Sequence, residues 1–218
     1  MKKLIIFCFE GTIADTSPGT LYCFNTTASA MGYSPVDRDA LQKIIGATLE
    51  QGFERLYGMK GDEIQYAVNN YSKLYSQKGE EMLMLYDGIE SSLLELKKNG
   101  YKLAIATQQN KRYTTDMLKT HHDIGKLFDI VCATDVGSNL NKCDLIMQAC
   151  NGLGISVQDS VLVGDSYVDA DGARQVGMDF AAALYGIGFK SKEEAERYNC
   201  VAYLYSAADI YSRLSVLL

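Results

Sequence analysis

The strongest constraint on this chain is a set of short, uninterrupted apolar runs separated by stretches with helical periodicity. Leu4-Ile5-Ile6-Phe7-Cys8-Phe9 is the first run, and Leu103–Ala106, Ile130–Ala133, Val161–Val163 and Phe180–Leu184 follow. A weaker one lies at Val201–Leu204. A strand without polar alternation is buried on both faces, as an interior strand of a parallel sheet must be. Between the runs, Ile89, Leu93 and Leu96 keep helical spacing, as do Leu145, Ile146, Ala149 and Leu153 ahead of Gly154. Asp87, with Glu90 three residues on, is the expected N-cap of the first of these helices, and Lys97-Lys98-Asn99-Gly100 is its stop. Strands alternating with helices predict an α/β fold with a Rossmann-like, doubly wound parallel sheet.

Residues 17–86 break the alternation. They hold no convincing buried strand but several helical stretches punctuated by glycine, and they are dense in tyrosine: Tyr22, Tyr33, Tyr57, Tyr66, Tyr71, Tyr75 and Tyr86. A helical insertion between the first strand and the rest of the sheet is therefore expected. The core would be discontinuous, residues 1–16 with 87–218. The tyrosines read as helix-packing surface with wet hydroxyls.

The 218 residues are 47% hydrophobic, enough for a sizeable core, and the formal charge is −6 with no Lys/Arg run longer than two. That charge excludes a nucleic-acid partner and disfavours an anionic membrane. Glu10 ends the first apolar run too early for a signal peptide, and no run approaches the roughly 20 residues of a membrane span. The six cysteines form no C-x-x-C pair and read as free thiols of a reducing, cytoplasmic compartment.

Ligands of open α/β sheets bind beyond the carboxyl ends of the strands. The informative residues therefore follow the apolar runs: Cys8, Glu10, Gly11, Thr12 and Asp15, then Thr107, Gln108, Gln109 and Asn110, then Lys142, then Asp165, Ser166 and Asp169. A hydroxyl, a lysine and several carboxylates on one rim suit a phosphoryl group held through a hard divalent cation.

Cys8-Phe9-Glu10-Gly11-Thr12-Ile13-Ala14-Asp15-Thr16 resembles the first motif of the haloacid dehalogenase-like superfamily, D-x-D-G-T-x-x-D-S/T. Thr107 falls at its second-motif Ser/Thr, Lys142 at its third-motif lysine, and Gly164-Asp165-Ser166-Tyr167-Val168-Asp169 matches its fourth motif, G-D-S/T-x-x-D. The resemblance implies a nucleophile position at Cys8 and an acid–base position at Glu10. It implies phosphate contacts from Gly11, Thr107, Gln108 and Lys142. It implies Mg²⁺ held by the Glu10 backbone carbonyl, Asp165 and Asp169. The insertion, 17–86, resembles the helical cap of the subfamily containing phosphoglycolate phosphatases and 2-haloacid dehalogenases, with Gly46, Ala47 and Thr48 at its substrate-specificity loop.

The departures fall where chemistry is decided. The family's two motif-one aspartates are replaced by Cys8 and Glu10, and Cys143 stands where a proline often follows the lysine. A thiolate is nucleophilic but a soft, single-atom ligand, poorly matched to Mg²⁺. Glu10 keeps a carboxyl but moves it by about 1 Å, a displacement that can slow a reaction about 10²-fold. The expected function is hydrolysis of a small phosphorylated metabolite, phosphoglycolate phosphatase-like and weakened by both changes. The alternative is an inactive protein that binds a phosphorylated ligand or regulates; a 2-haloacid dehalogenase fits less well. Asp15 reads as a helix N-cap or turn residue, and His121 and His122 as a surface pair.

Overall fold

The computed structural model describes residues 2–120, 122–135, 138 and 140–217. His121, half of the expected histidine pair, lies outside them. The chain runs through β1 (Leu4–Phe7), β2 (Ala14–Asp15), α1 (Ser17–Ala30), α2 (Leu49–Tyr57), α3 (Asp62–Leu74), β3 (Met84–Leu85) and α4 (Ile89–Lys98). It continues through β4 (Lys102–Asn110), α5 (Lys111–Thr120), the single turn α6 (His122–Gly125), β5 (Ile130–Thr134) and α7 (Lys142–Leu153). Last come β6 (Ser160–Gly164), α8 (Tyr167–Val176), β7 (Asp179–Ala183), α9 (Lys192–Ala195), β8 (Ala202–Leu204) and α10 (Ile210–Leu214). Two compact units result, Met1–Asp15 with Leu85–Leu218, and Thr16–Met84.

The first unit carries a six-stranded sheet in the order β5-β4-β1-β6-β7-β8, every pair parallel. β1 lies between β4 and β6, with Phe7 opposite both Ile105 and Val163. All four of its side chains are fully buried, which is why its sequence shows no polar alternation. Leu4 and Ile6 join a core with Leu145, Ile146 and Ala149 of α7 and Ala170 and Ala173 of α8. Ile5 and Phe7 point to the opposite face by strand alternation, and the Phe7 ring meets Phe128 edge-on at 6.2 Å. The doubly wound parallel sheet is thus as expected.

Two helix starts differ from the sequence reading. Asp87 does not cap α4; Gly88 does, in the left-handed region at φ 84°. A Cβ at Gly88 would press on Ala208, so the cap is chosen by packing as well as backbone freedom. Asp15 belongs to β2, and Thr16 occupies the N-cap of α1.

The second unit is built from α1, α2 and α3 around an aromatic core. Phe24 packs on Phe53 at 4.7 Å and on Tyr71 at 4.8 Å between ring centroids, and Tyr71 stacks on Tyr75 at 5.5 Å. Tyr71 and Tyr75 are buried, unlike the wet surface expected of them. Burying their ring area outweighs wetting the hydroxyls once three helices must share so few aliphatic residues. The Tyr33 hydroxyl donates to Glu63 and the Tyr57 hydroxyl to Asn25.

Asp129 ties down the amino-terminal end of the sheet. It accepts hydrogen bonds from the Leu103 N–H at 2.9 Å, Lys97 Nζ at 2.8 Å and Lys102 Nζ at 2.9 Å. Burial alone would raise its pKa, but the bonds from Lys97, Leu103 and Lys102 lower it to about 2. A carboxyl depressed in the folded state stabilises above its unfolded pKa, and that contribution fades as pH falls toward 2. Asp129→Asn is expected to lower stability by about 2 kcal/mol at pH 7. Urea denaturation should show the difference closing near pH 2; a difference independent of pH would contradict the assignment.

Candidate active site

β1 ends where Cys8 donates its N–H to the Val163 carbonyl at 2.9 Å, fixing the residue beside β6. The chain then folds tightly, the Phe9 carbonyl accepting from Thr12, Ile13 and Ala14. Gly11, at φ 70°, donates its N–H to the Ala14 carbonyl at 2.9 Å. Any Cβ on Gly11 would collide with the Asp165 carboxyl, so both backbone angle and space require glycine. The Thr12 hydroxyl is buried without a hydrogen-bond partner among the described residues.

Thr107 comes from β4, fully buried, and its hydroxyl oxygen accepts the Gln109 N–H at 3.1 Å. The β4–β5 register shifts between Thr107 and Asn110, so the strand end bulges. The bulge leaves Gln108 exposed and lets Gln109 Nε2 donate to Glu10 Oε1 at 3.0 Å.

Lys142 is the first residue of α7. Asn141 caps that helix in a reciprocal box with Asp144, which fixes where the lysine emerges. The lysine side chain is only 5% exposed. Its stem passes Gly172 of α8, where a Cβ would strike it. Nζ donates to the Ala106 carbonyl at 2.9 Å and to Cys8 Sγ at 3.3 Å, and it forms an ion pair with Asp169 Oδ1 at 2.7 Å. Burial alone would favour the neutral amine, but the charge of Asp169 outweighs it and raises the lysine pKa.

Asp165 follows β6. Its Oδ2 accepts N–H groups from Ile187 at 3.0 Å and Gly188 at 2.9 Å, and its carbonyl accepts from Phe189 at 2.7 Å. Gly186 and Gly188 have no room for a Cβ against Asp165, which explains glycine at both. Burial, then the neighbouring Asp169 charge, raise the Asp165 pKa to about 7. Asp169 lies in the first turn of α8, where its Oδ2 accepts from Ser166 N–H at 3.2 Å and Ser166 Oγ at 2.8 Å. Burial, then Asp169, push the Cys8 thiol well up despite Lys142, so the sulfur is protonated at neutral pH.

Ligand atoms of Cys8, Asp165 and Asp169, all buried, lie within 4.8 Å of one another. Residues from β1, β6, α7 and α8 thus meet at the carboxyl ends of adjacent parallel strands. A family model described as haloacid dehalogenase-like hydrolase matches residues 5–183. The chain belongs to that family. It is 29% identical over 187 residues to the tyrosine-protein kinase PtkA of Mycobacterium tuberculosis, covering 85% of this chain and 63% of the relative, so it spans under two thirds of that protein. It is 26% identical over 223 residues to the phosphoglycolate phosphatase of Nitrosospira multiformis, covering 98% and 97% of the two chains. A haloacid dehalogenase-like hydrolase structure from Streptococcus pneumoniae superposes with TM-score 0.88 at 25% identity, covering 100% of this chain and 99% of that one.

Phosphatases of this family generally use Mg²⁺. Asp165 and Asp169 are the hard oxygen donors such an ion needs, but the third donor, Cys8, offers sulfur. The set suits a divalent cation and is poorly matched to Mg²⁺ in particular. Gly46, Ala47 and Thr48 lie in the second unit, where Thr48 caps α2 in a box with Gln51. No described helix is long and apolar enough to cross a membrane.

Sequence reasoning missed Tyr185 and the Gly186-Ile187-Gly188 loop. Tyr185 donates its hydroxyl to the Thr12 carbonyl at 2.8 Å and packs edge-on against Tyr86 at 4.9 Å. The signal was available, since Tyr-Gly-Ile-Gly directly follows the fifth apolar run and the strand-end rule applies there too.

Proposed function

We propose that the chain is a phosphatase hydrolysing a small phosphorylated metabolite, similar to phosphoglycolate phosphatase, with turnover slowed by Cys8. The meeting of Lys142, Asp165 and Asp169 around the sulfur of Cys8 carries this reading. Thr107, Gln108 and Lys142 are the proposed phosphate contacts, with Gly11 clearing room beside Asp165. The Thr107 oxygen accepts from Gln109 and so keeps its own proton to donate. Asp165, Asp169 and the Glu10 carbonyl are the proposed ligands of a divalent cation, which would neutralise phosphate charge when bound. Residues 17–86, which overlap the compact unit Thr16–Met84, are read as the helical cap, with Gly46, Ala47 and Thr48 as its specificity loop. A cytoplasmic location accords with six free thiols.

In this reading the Cys8 sulfur attacks phosphorus, the P–O ester bond breaks and the thiol proton is released. Glu10, oriented by Gln109 and protonated at the start, gives its proton to the departing alkoxide oxygen. It then takes a proton from the water that attacks phosphorus, the S–P bond breaks, phosphate leaves and the thiolate regains a proton from solvent. Burial keeps the thiol protonated, so little of the nucleophilic thiolate is present and the attack is slow. Phosphate release from a panel of phosphorylated metabolites tests the proposal. The wild type should exceed Asp165→Asn by at least about 10-fold, the loss expected when one charged group facing the phosphate is neutralised. A wild type no faster than Asp165→Asn on every member would overturn it.

A further inference from the structure

We propose that Cys8, Asp165 and Asp169 form a site selective for a thiophilic divalent cation of the Zn²⁺ class over Mg²⁺. The inference rests on the cation site of the phosphatase reading at Asp165 and Asp169, and adds the Cys8 sulfur to its ligands. Three observations carry it. One sulfur and two carboxylates lie within 4.8 Å of one another, all buried. Asp169 Oδ1, on a residue 1% exposed, has the Lys142 ammonium at 2.7 Å as its ion-pair partner, while the Ser166 bonds go to Oδ2. Asp165 is held by backbone N–H groups at Oδ2, which leaves Oδ1 as the oxygen these bonds do not use.

Ligand chemistry then decides which cation. Zn²⁺ takes sulfur at about 2.3 Å and carboxylate oxygen at about 2.0–2.2 Å in a tetrahedron, so its donors stand about 3.5 Å apart. Closing the cluster to that spacing needs side-chain adjustments of about 1 Å. Three protein donors would leave the fourth position open, the pattern of a reactive rather than a structural site. Mg²⁺ demands near-octahedral oxygen and gains little from sulfur.

The Lys142 ammonium, which donates to Sγ at 3.3 Å, remains beside the sulfur to support a metal-bound thiolate. Binding forms the metal–sulfur bond, breaks S–H and releases that proton to solvent.

Cobalt(II) titration of the chelator-stripped full chain tests the site, because a cobalt–thiolate bond gives a near-ultraviolet charge-transfer band. The band should saturate at one Co²⁺ per chain, vanish on adding Zn²⁺ and survive a large excess of Mg²⁺. Cys8→Ser should abolish it while circular dichroism shows an unchanged fold. Asp165→Asn, with the sulfur intact, should weaken Co²⁺ binding about 10- to 100-fold. A band persisting in Cys8→Ser would place the sulfur ligand elsewhere, and displacement by equimolar Mg²⁺ would remove the selectivity. Absence of the band in wild type would end the proposal. Failure of phosphate release alone would leave the band untouched, so the two readings fail separately.

Discussion

Replacing Cys8 by aspartate is expected to raise Mg²⁺-supported hydrolysis of a generic phosphomonoester by about 10²- to 10³-fold, the rate equivalent of several kcal/mol of charge stabilisation. The substitution restores an oxygen nucleophile and a hard ligand at one atom position, where sulfur supplies neither the right donor for Mg²⁺ nor, while protonated, a ready attacking group. It also carries a stability signature. A third carboxylate beside Asp165 and Asp169 adds buried negative charge, so Cys8→Asp should melt below the wild type in chelator and recover when Mg²⁺ is added. The measurement is kcat/KM for p-nitrophenyl phosphate with wild type, Cys8→Asp and Cys8→Ala, alongside thermal melts with and without Mg²⁺. Equal turnover by wild type and Cys8→Asp would show that residue 8 is not the attacking position.

Much of the fold was legible because its determinants are local. A run such as Leu4–Phe9 without polar alternation belongs in the middle of a parallel sheet, and β1 lies there between β4 and β6. The strand-end rule likewise drew attention to Cys8, Lys142, Asp165 and Asp169, which the fold brings together from positions up to 161 residues apart. What stayed hidden depends on distant approach or on backbone groups. Gly88 displaces Asp87 as a cap partly because Ala208 leaves no room for a side chain, a fact residues 85–90 do not encode. The loop that grips Asp165 does so through the N–H groups of Ile187 and Gly188, which every residue but proline possesses. Gln108 and Gln109 are equivalent as letters; a bulge in β4 alone turns the second toward Glu10 and leaves the first exposed. Lysine at a helix start usually points to water, and only the assembled fold shows Lys142 buried against Cys8 and Asp169.

That burial makes Lys142 the position with the largest expected effect on stability. Lys142→Met keeps a flexible stem of similar length beside Gly172 but removes the cation facing Asp169, so it should destabilise the chain by about 3–5 kcal/mol at neutral pH. The pH dependence has a definite sign. Without the lysine, two buried carboxyls face each other with no buried cation beside them, so ionising both costs more in the folded state than in the unfolded chain. The deficit is therefore smallest below the ordinary carboxylate range and grows as pH rises and the acids ionise. The double variant Lys142→Met/Asp169→Asn should recover much of the loss, because the charge left stranded is gone while an amide can still accept from Ser166. Urea denaturation of the four proteins at pH 5 and pH 8 closes the cycle. Additive losses in the two single variants, or a Lys142→Met deficit that shrinks on going from pH 5 to pH 8, would show that the lysine stabilises by packing rather than by charge.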